Sequence, residues 1–118
     1  MFRLILATLF FVITSPAALS AERTLLSLQG SNTIGAELGP ALIKAWLEQR
    51  RYTAITQKRT AAEEMVISAV SDNGEKVKVI IKAHGSSTSF KGLASGEADI
   101  GMSSRPIKDK EVAKLAPL

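Results

Sequence analysis

Three times along this chain a short apolar run ends in small hydroxyl residues and passes into a helical pattern. The strand-like stretch Thr24 to Gln29 leads through Gly30-Ser31-Asn32-Thr33-Ile34-Gly35 into a segment with Leu38, Ala41, Leu42, Ala45 and Trp46 at helical spacing. Lys76 to Ala83 leads through His84-Gly85-Ser86-Ser87-Thr88-Ser89 into a helix closed by Gly96. Ala98 to Met102 leads through Ser103-Ser104-Arg105-Pro106 into a last helix over Lys108 to Leu115. Strands that feed helices in this way build an α/β sheet, and their outgoing turns gather at its carboxyl edge, where ligands bind.

The remaining elements fit the same class. Tyr52 to Gln57 reads as a second strand. Glu64 to Ser71 and Lys76 to Ala83 are both strand-like, and the second alternates Val77, Val79 and Ile81 against Lys76, Lys78, Ile80 and Lys82. Asp72-Asn73-Gly74-Glu75 between them carries an Asn-Gly hairpin signal, so residues 64–83 are expected to form a β-hairpin excursion from the α/β pattern. Thr33 is placed to cap the first helix. Pro40 either marks that helix's first turn or kinks a helix begun at Ile34.

Met1-Phe2-Arg3, the apolar run from Leu4 to Thr14, and Ser15-Pro16-Ala17-Ala18-Leu19-Ser20-Ala21 have the basic, apolar and small-residue parts of a secretory signal peptide over residues 1–21. The apolar run is shorter than the ~20 residues a membrane span needs. The expected location is periplasmic or secreted. What remains, residues 22–118, suffices for one small domain. With no cysteine and one histidine, disulfides are excluded and a metal site is not expected; no cofactor is expected either. Arg3 is one of 15 basic residues against 11 acidic ones, so removing it leaves a mild positive excess, which suits an anionic ligand. Aromatics are few and not interleaved with the charges, which argues against a nucleic-acid partner.

The three turns share a chemistry. Amides at the start of a helix lack intrahelical partners and carry partial positive charge, and small hydroxyl residues let an anion approach them. Arg105 adds a charged, fork-shaped donor. Together they suggest a dehydrated cleft for a tetrahedral oxyanion. Each turn taken alone is an ordinary cap. Gly30 to Gly35 lacks the lysine of a phosphate-binding P-loop and the third glycine of a dinucleotide loop. His84 beside Ser87 lacks a nucleophile-elbow pattern, so a polar loop role is expected for it, and no catalytic residue is assigned. Asp99 is expected to pair with nearby loop amides at a strand start.

The stretches GSNTIG (Gly30 to Gly35) and AHGSSTSFKGLASGEADIGMSSRPI (Ala83 to Ile107), with the KDKEV that follows, resemble the phosphate-binding proteins of ABC uptake systems, PstS-like members of the periplasmic substrate-binding proteins. The resemblance implies a partial, type II periplasmic-binding-protein-like lobe, with the hairpin as an insertion and a second lobe beyond Leu118. It implies a non-enzymatic receptor, monomeric when full length, that holds inorganic phosphate or a similar oxyanion and delivers it to an ABC permease in the inner membrane. Carried over by position, the contacts are Ser31, Thr33 and the amide of Ile34 in the first turn, Ser86, Ser87 and Thr88 in the second, and Ser104 and Arg105 in the third. Ser104 stands where well-studied members have an aspartate that accepts the proton of hydrogen phosphate, which leaves phosphate-over-sulfate selection without its usual acceptor. Two other classes are weighed beside this one: a cell-envelope structural or sensing protein carrying a binding-protein-like domain, and a secreted hydrolase using Ser87 and His84.

Overall fold

The computed structural model describes residues 21–117, so the expected signal peptide lies, but for Ala21, outside the described residues. Strands β1 (Arg23–Gly30), β2 (Thr53–Ala61), β3 (Glu64–Val70), β4 (Lys76–Lys82) and β5 (Ile100–Met102) form one mixed sheet in the order β2-β3-β4-β1-β5. Helices α1 (Gly39–Gln49), α2 (Ser86–Ser95) and α3 (Asp109–Leu115) complete an α/β architecture. β1 lies in parallel between β4 and β5, while β2 with β3 and β3 with β4 are antiparallel.

The β3–β4 hairpin is not an excursion. β4 is the middle strand of the sheet, pairing Leu28 with Ile81 on one side and Ile67 with Val79 on the other. Its alternation explains why: Val77, Val79 and Ile81 are all but inaccessible, as is Ile67 opposite, and such a row of branched side chains must lie inside. The connecting loop closes through the Ser71 amide on the Glu75 carbonyl at 2.9 Å, with Gly74 at positive φ. β2 runs four residues beyond the expected Gln57 and returns through a two-residue turn at Ala62-Glu63, with Glu63 at φ 58°. Its exposed Lys58 and Arg59 stand on the sheet's edge, where charge discourages pairing with another chain.

The two sheet faces are covered by different helices. Met102 lies against Gly35 and Gly39, on the face packed by Ile43 and Leu47 of α1. Its neighbour Gly101 lies against Ser89 and Leu93 of α2, on the opposite face. The chain is helical from Asn32 to Gln49, with a π-turn at Ile34–Leu38 in which the Gly39 amide reaches back to the Ile34 carbonyl. Pro40 directly follows this wide turn as the second residue of α1, so it sits in that helix's first turn, the first of the two expected placements. A π-turn is one way to carry a helix past a residue that cannot donate. The cap is Ser31 and not Thr33: the Ser31 hydroxyl accepts the Ile34 amide at 3.3 Å, whereas the Thr33 side chain makes no capping bond.

The face that α1 buries also differs from the expected one. Gly39, Pro40, Ile43 and Leu47 are buried, while Ala41 and Ala45 are exposed and Leu38 and Leu42 are more than half exposed. Both stripes recur at helical spacing. The small Gly39 decides between them, since a Cβ there would stand 3.3 Å from the Met102 sulfur, and its absence lets Ile43 and Leu47 settle onto the sheet.

Leu47→Ala is therefore expected to cost about 2–5 kcal/mol of unfolding free energy, as truncation of a fully packed leucine does. Leu42→Ala is expected to change it by about 0.5 kcal/mol. Urea denaturation of the two variants reads the difference, and equal losses would mean that α1 packs through its other stripe.

Candidate functional site

Because β4, β1 and β5 are parallel neighbours, the turns that leave them emerge side by side at one sheet edge. Backbone bonds tie the three together. The Ser31 amide donates to the Met102 carbonyl at 2.9 Å, and the Gly85 amide donates to the Gly30 carbonyl at 2.8 Å. Between the second and third turns, the Ser104 amide donates to the Ser86 hydroxyl at 3.2 Å, and the two hydroxyls are 3.2 Å apart. Two glycines permit this closeness. Gly30 has φ 143°, and a Cβ there would stand 1.9 Å from the Met102 carbonyl oxygen; Gly85 has φ 111° and lets the chain leave β4 and enter α2 at once.

Within this cluster the hydroxyls divide by what they already bind. Ser31 is buried and holds the Ile34 amide, so that amide is occupied and the pair fixes the helix start. The Thr88 hydroxyl donates to the Gly85 carbonyl at 2.7 Å, and the Ser89 hydroxyl to the Ser86 carbonyl at 2.7 Å. These protons hold the second turn and do not point outward. Ser103 donates to the Arg105 carbonyl at 2.6 Å and so shapes the third turn. Thr33 and Ser87 are exposed, each at the start of a helix, where first-turn amides have no intrahelical acceptor. They are the donors directed at solvent, with the Ser86–Ser104 pair between the turns. The edge is open to water and not the dehydrated cleft expected, since Asn32, Thr33, Ser87 and Ser104 are all exposed.

Arg105 is brought to the third turn but is engaged elsewhere. Its guanidinium grips Glu111 bidentately, NH2 to Oε1 at 2.7 Å and NH1 to Oε2 at 2.9 Å, and NH1 also donates to the Pro106 carbonyl at 2.9 Å. It lies 5.4 Å from the centre of the Phe90 ring. Glu111 is only 7% exposed and also accepts the Lys108 amide at 2.9 Å. A carboxylate so enclosed requires a cation, and Arg105 supplies it. These bonds hold the Glu111 carboxyl down, from its ordinary 4.5 to about 2, chiefly through the Arg105 hydrogen bonds.

Four side chains outside the expected set also reach this edge. The Asn32 amide donates to Glu63 at 3.4 Å, and His84 Nε2 lies 2.8 Å from Glu64 Oε1. Glu63 lies in the turn between β2 and β3 and Glu64 opens β3, where antiparallel pairing with Lys82 brings them to the end of β4. Nothing local in the sequence signals that arrival. His84 is thus bonded to Glu64 and not to Ser87. Asp99 does not pair with loop amides: its carboxylate accepts the Ser27 amide of β1 at 2.8 Å, and its own amide donates to the Ser27 carbonyl at 2.8 Å. It is a strut between neighbouring strands. Among the described residues, no group of three or more His, Cys, Asp or Glu side chains is arranged to hold a metal ion, and no helix is long and apolar enough to cross a membrane.

The Glu111 shift has a consequence for stability. A carboxyl depressed in the folded state stabilises the fold above its unfolded pKa and ceases to do so as pH falls towards its folded value. The urea midpoint of the parent chain is expected to drop more steeply between about pH 4.5 and about pH 2 than that of Glu111→Gln, the two curves converging at the acid end. Parallel curves across that window would show that the ion pair does not contribute. No family model, curated protein or solved structure matches the chain.

Proposed function

We propose that this chain is an exported, non-catalytic oxyanion-binding module, with inorganic phosphate as its first ligand. In this reading it is a lobe of the periplasmic-binding-protein type, part of a solute receptor that passes its ligand to an ABC permease in the inner membrane. The observation that carries the reading is the convergence of three hydroxyl-rich turns at the carboxyl ends of adjacent parallel strands. The sequence resemblance over GSNTIG and the stretch from Ala83 to Ile107 supports the same ligand class.

The binding mechanism uses dipoles and neutral donors. First-turn amides at Asn32 and Thr33 and at Ser86 and Ser87 present partial positive charge from two helices. The Thr33 and Ser87 hydroxyls donate to the oxyanion, and the Ser86–Ser104 pair reorients to donate a further proton. Ser31 and Thr88 hold the turns in shape, the first by capping and the second by bonding the Gly85 carbonyl. Arg105 and Glu111 form a neutral pair, so Arg105 stabilises the third turn and contributes little net charge to the anion. An anion bound to one open layer keeps one face in water, so affinity is expected near the millimolar range, about −4 kcal/mol.

Calorimetric titration of the full chain with phosphate, sulfate and molybdate tests this. Phosphate is expected to bind, and Thr33→Glu, which sets a carboxylate at the first turn, is expected to weaken it at least about tenfold by like-charge repulsion. Absence of heat with phosphate, alongside clear binding of another of these oxyanions, would overturn the ligand assignment.

A further inference from the structure

Next to the second and third turns, which supply its Ser87 and Arg105, α2 and α3 enclose a second concavity of about 180 Å³, lined by Ser87, Phe90, Lys91, Arg105, Lys108, Lys110, Glu111 and Lys114. Five of these side chains are cationic and one is a carboxylate. Elsewhere the described residues carry nine basic and ten acidic side chains, so the positive excess of the chain resides in this one place. Glu111 is consumed by Arg105. Among the described residues the ion pairs are Arg23–Glu75, His84–Glu64 and Arg105–Glu111, which leaves Lys91, Lys108, Lys110 and Lys114 without a carboxylate partner.

We propose that this basic pocket between α2 and α3 binds a linear chain of phosphoryl groups, inorganic polyphosphate, at a site that adjoins the oxyanion edge at Ser87 and is formed mainly by the lysines of α2 and α3. The distribution of the cations favours an extended ligand over a compact one. Lys91 stands on α2, Lys108 just before α3, and Lys110 and Lys114 one turn apart on α3, about 6 Å between their Cβ atoms. They are spread over two helices and the residue that precedes the second. Lysine ammoniums are mobile point charges that accommodate successive phosphates, while Arg105, fixed by Glu111 and by the Phe90 ring, forms a rigid wall. A nucleic acid is less well served, because Phe90 is the one aromatic ring lining the pocket and the Arg105 guanidinium already lies over it at 5.4 Å. A lipid surface asks for a broad apolar face beside the charges, and Phe90 is the one large apolar side chain lining the pocket.

Titration of the full chain with medium-length inorganic polyphosphate, at low and at raised salt, tests the proposal. Binding is expected to weaken steeply with salt, as counterion release requires. The double variant Lys110→Glu/Lys114→Glu is expected to lose at least about tenfold in affinity and part of the salt dependence. Lys58→Glu/Lys76→Glu, with the same change in net charge on exposed strand positions, is expected to lose less than about threefold. Circular dichroism checks that both variants remain folded. Thr33→Glu is expected to leave polyphosphate binding intact, which distinguishes binding by the lysines of α2 and α3 from binding at the first turn. The proposal is overturned by an absence of polyphosphate binding, by equal losses in the two charge variants, or by loss of binding in Thr33→Glu. It is equally overturned if a single-stranded oligonucleotide or anionic phospholipid vesicles bind more tightly than polyphosphate through the same lysines.

Discussion

The approach of β1 to β5 at Gly30 is the contact on which the site edge and the sheet's parallel half both rest. At that point the β1 backbone passes so close to the Met102 carbonyl that no Cβ fits, and the next residue, Ser31, donates its amide to the same carbonyl. The Gly30 carbonyl in turn receives the Gly85 amide from the end of β4. One glycine thereby fixes the ends of three strands relative to one another, and with them the starts of the α1 and α2 helical runs. A side chain at that position would separate β1 from β5 by more than a hydrogen bond tolerates. The proposed oxyanion edge exists only while those ends stay together.

Polar groups around that edge serve two purposes, and their hydrogen bonds separate them. Ser31, Thr88, Ser89 and Ser103 each bond a backbone group and so maintain turn geometry. Thr33 and Ser87 are turned to solvent. Residue type could not distinguish these classes, because a serine that caps a turn and a serine that faces a ligand are chemically the same. Arg105 illustrates the point with a charge. Its position after two serines suits an anion ligand, yet Glu111, six residues later and nearly enclosed, takes its guanidinium. The pairing depends on the turn at Pro106 bringing α3 back towards α2, which spacing alone does not reveal.

Periodicity was most legible where one face of a strand is fully enclosed. Val77, Val79 and Ile81 alternate cleanly and are buried as their spacing predicts. The hairpin joining β3 to β4, the left-handed Gly96 after α2, and the recurrence of hydroxyl-rich turns after strands were all readable from local chemistry. The first helix was less so. It carries two apolar stripes, and the aliphatic count does not choose between them; Gly39 does, by admitting the Met102 side chain. The central place of β4 was also hidden, because a hairpin signal reports that two strands pair with each other and is silent about what pairs with their outer edges.

By itself the sequence determined the α/β class, the approximate strand and helix segments, the hairpin, and the recurrence of hydroxyl-rich turns after strands. These follow from short-range properties: side-chain periodicity, glycine at positive φ, and hydroxyls at helix starts. Only the tertiary structure decided that the β3–β4 hairpin is the middle of the sheet, that α1 packs through Ile43 and Leu47, and that Arg105 belongs to Glu111. It also decided which lysines surround one pocket and which hydroxyls keep a free proton. Each of these depends on groups far apart in the chain meeting at hydrogen-bond or van der Waals distance, and that proximity is a property of the packed sheet and not of any local run of residues.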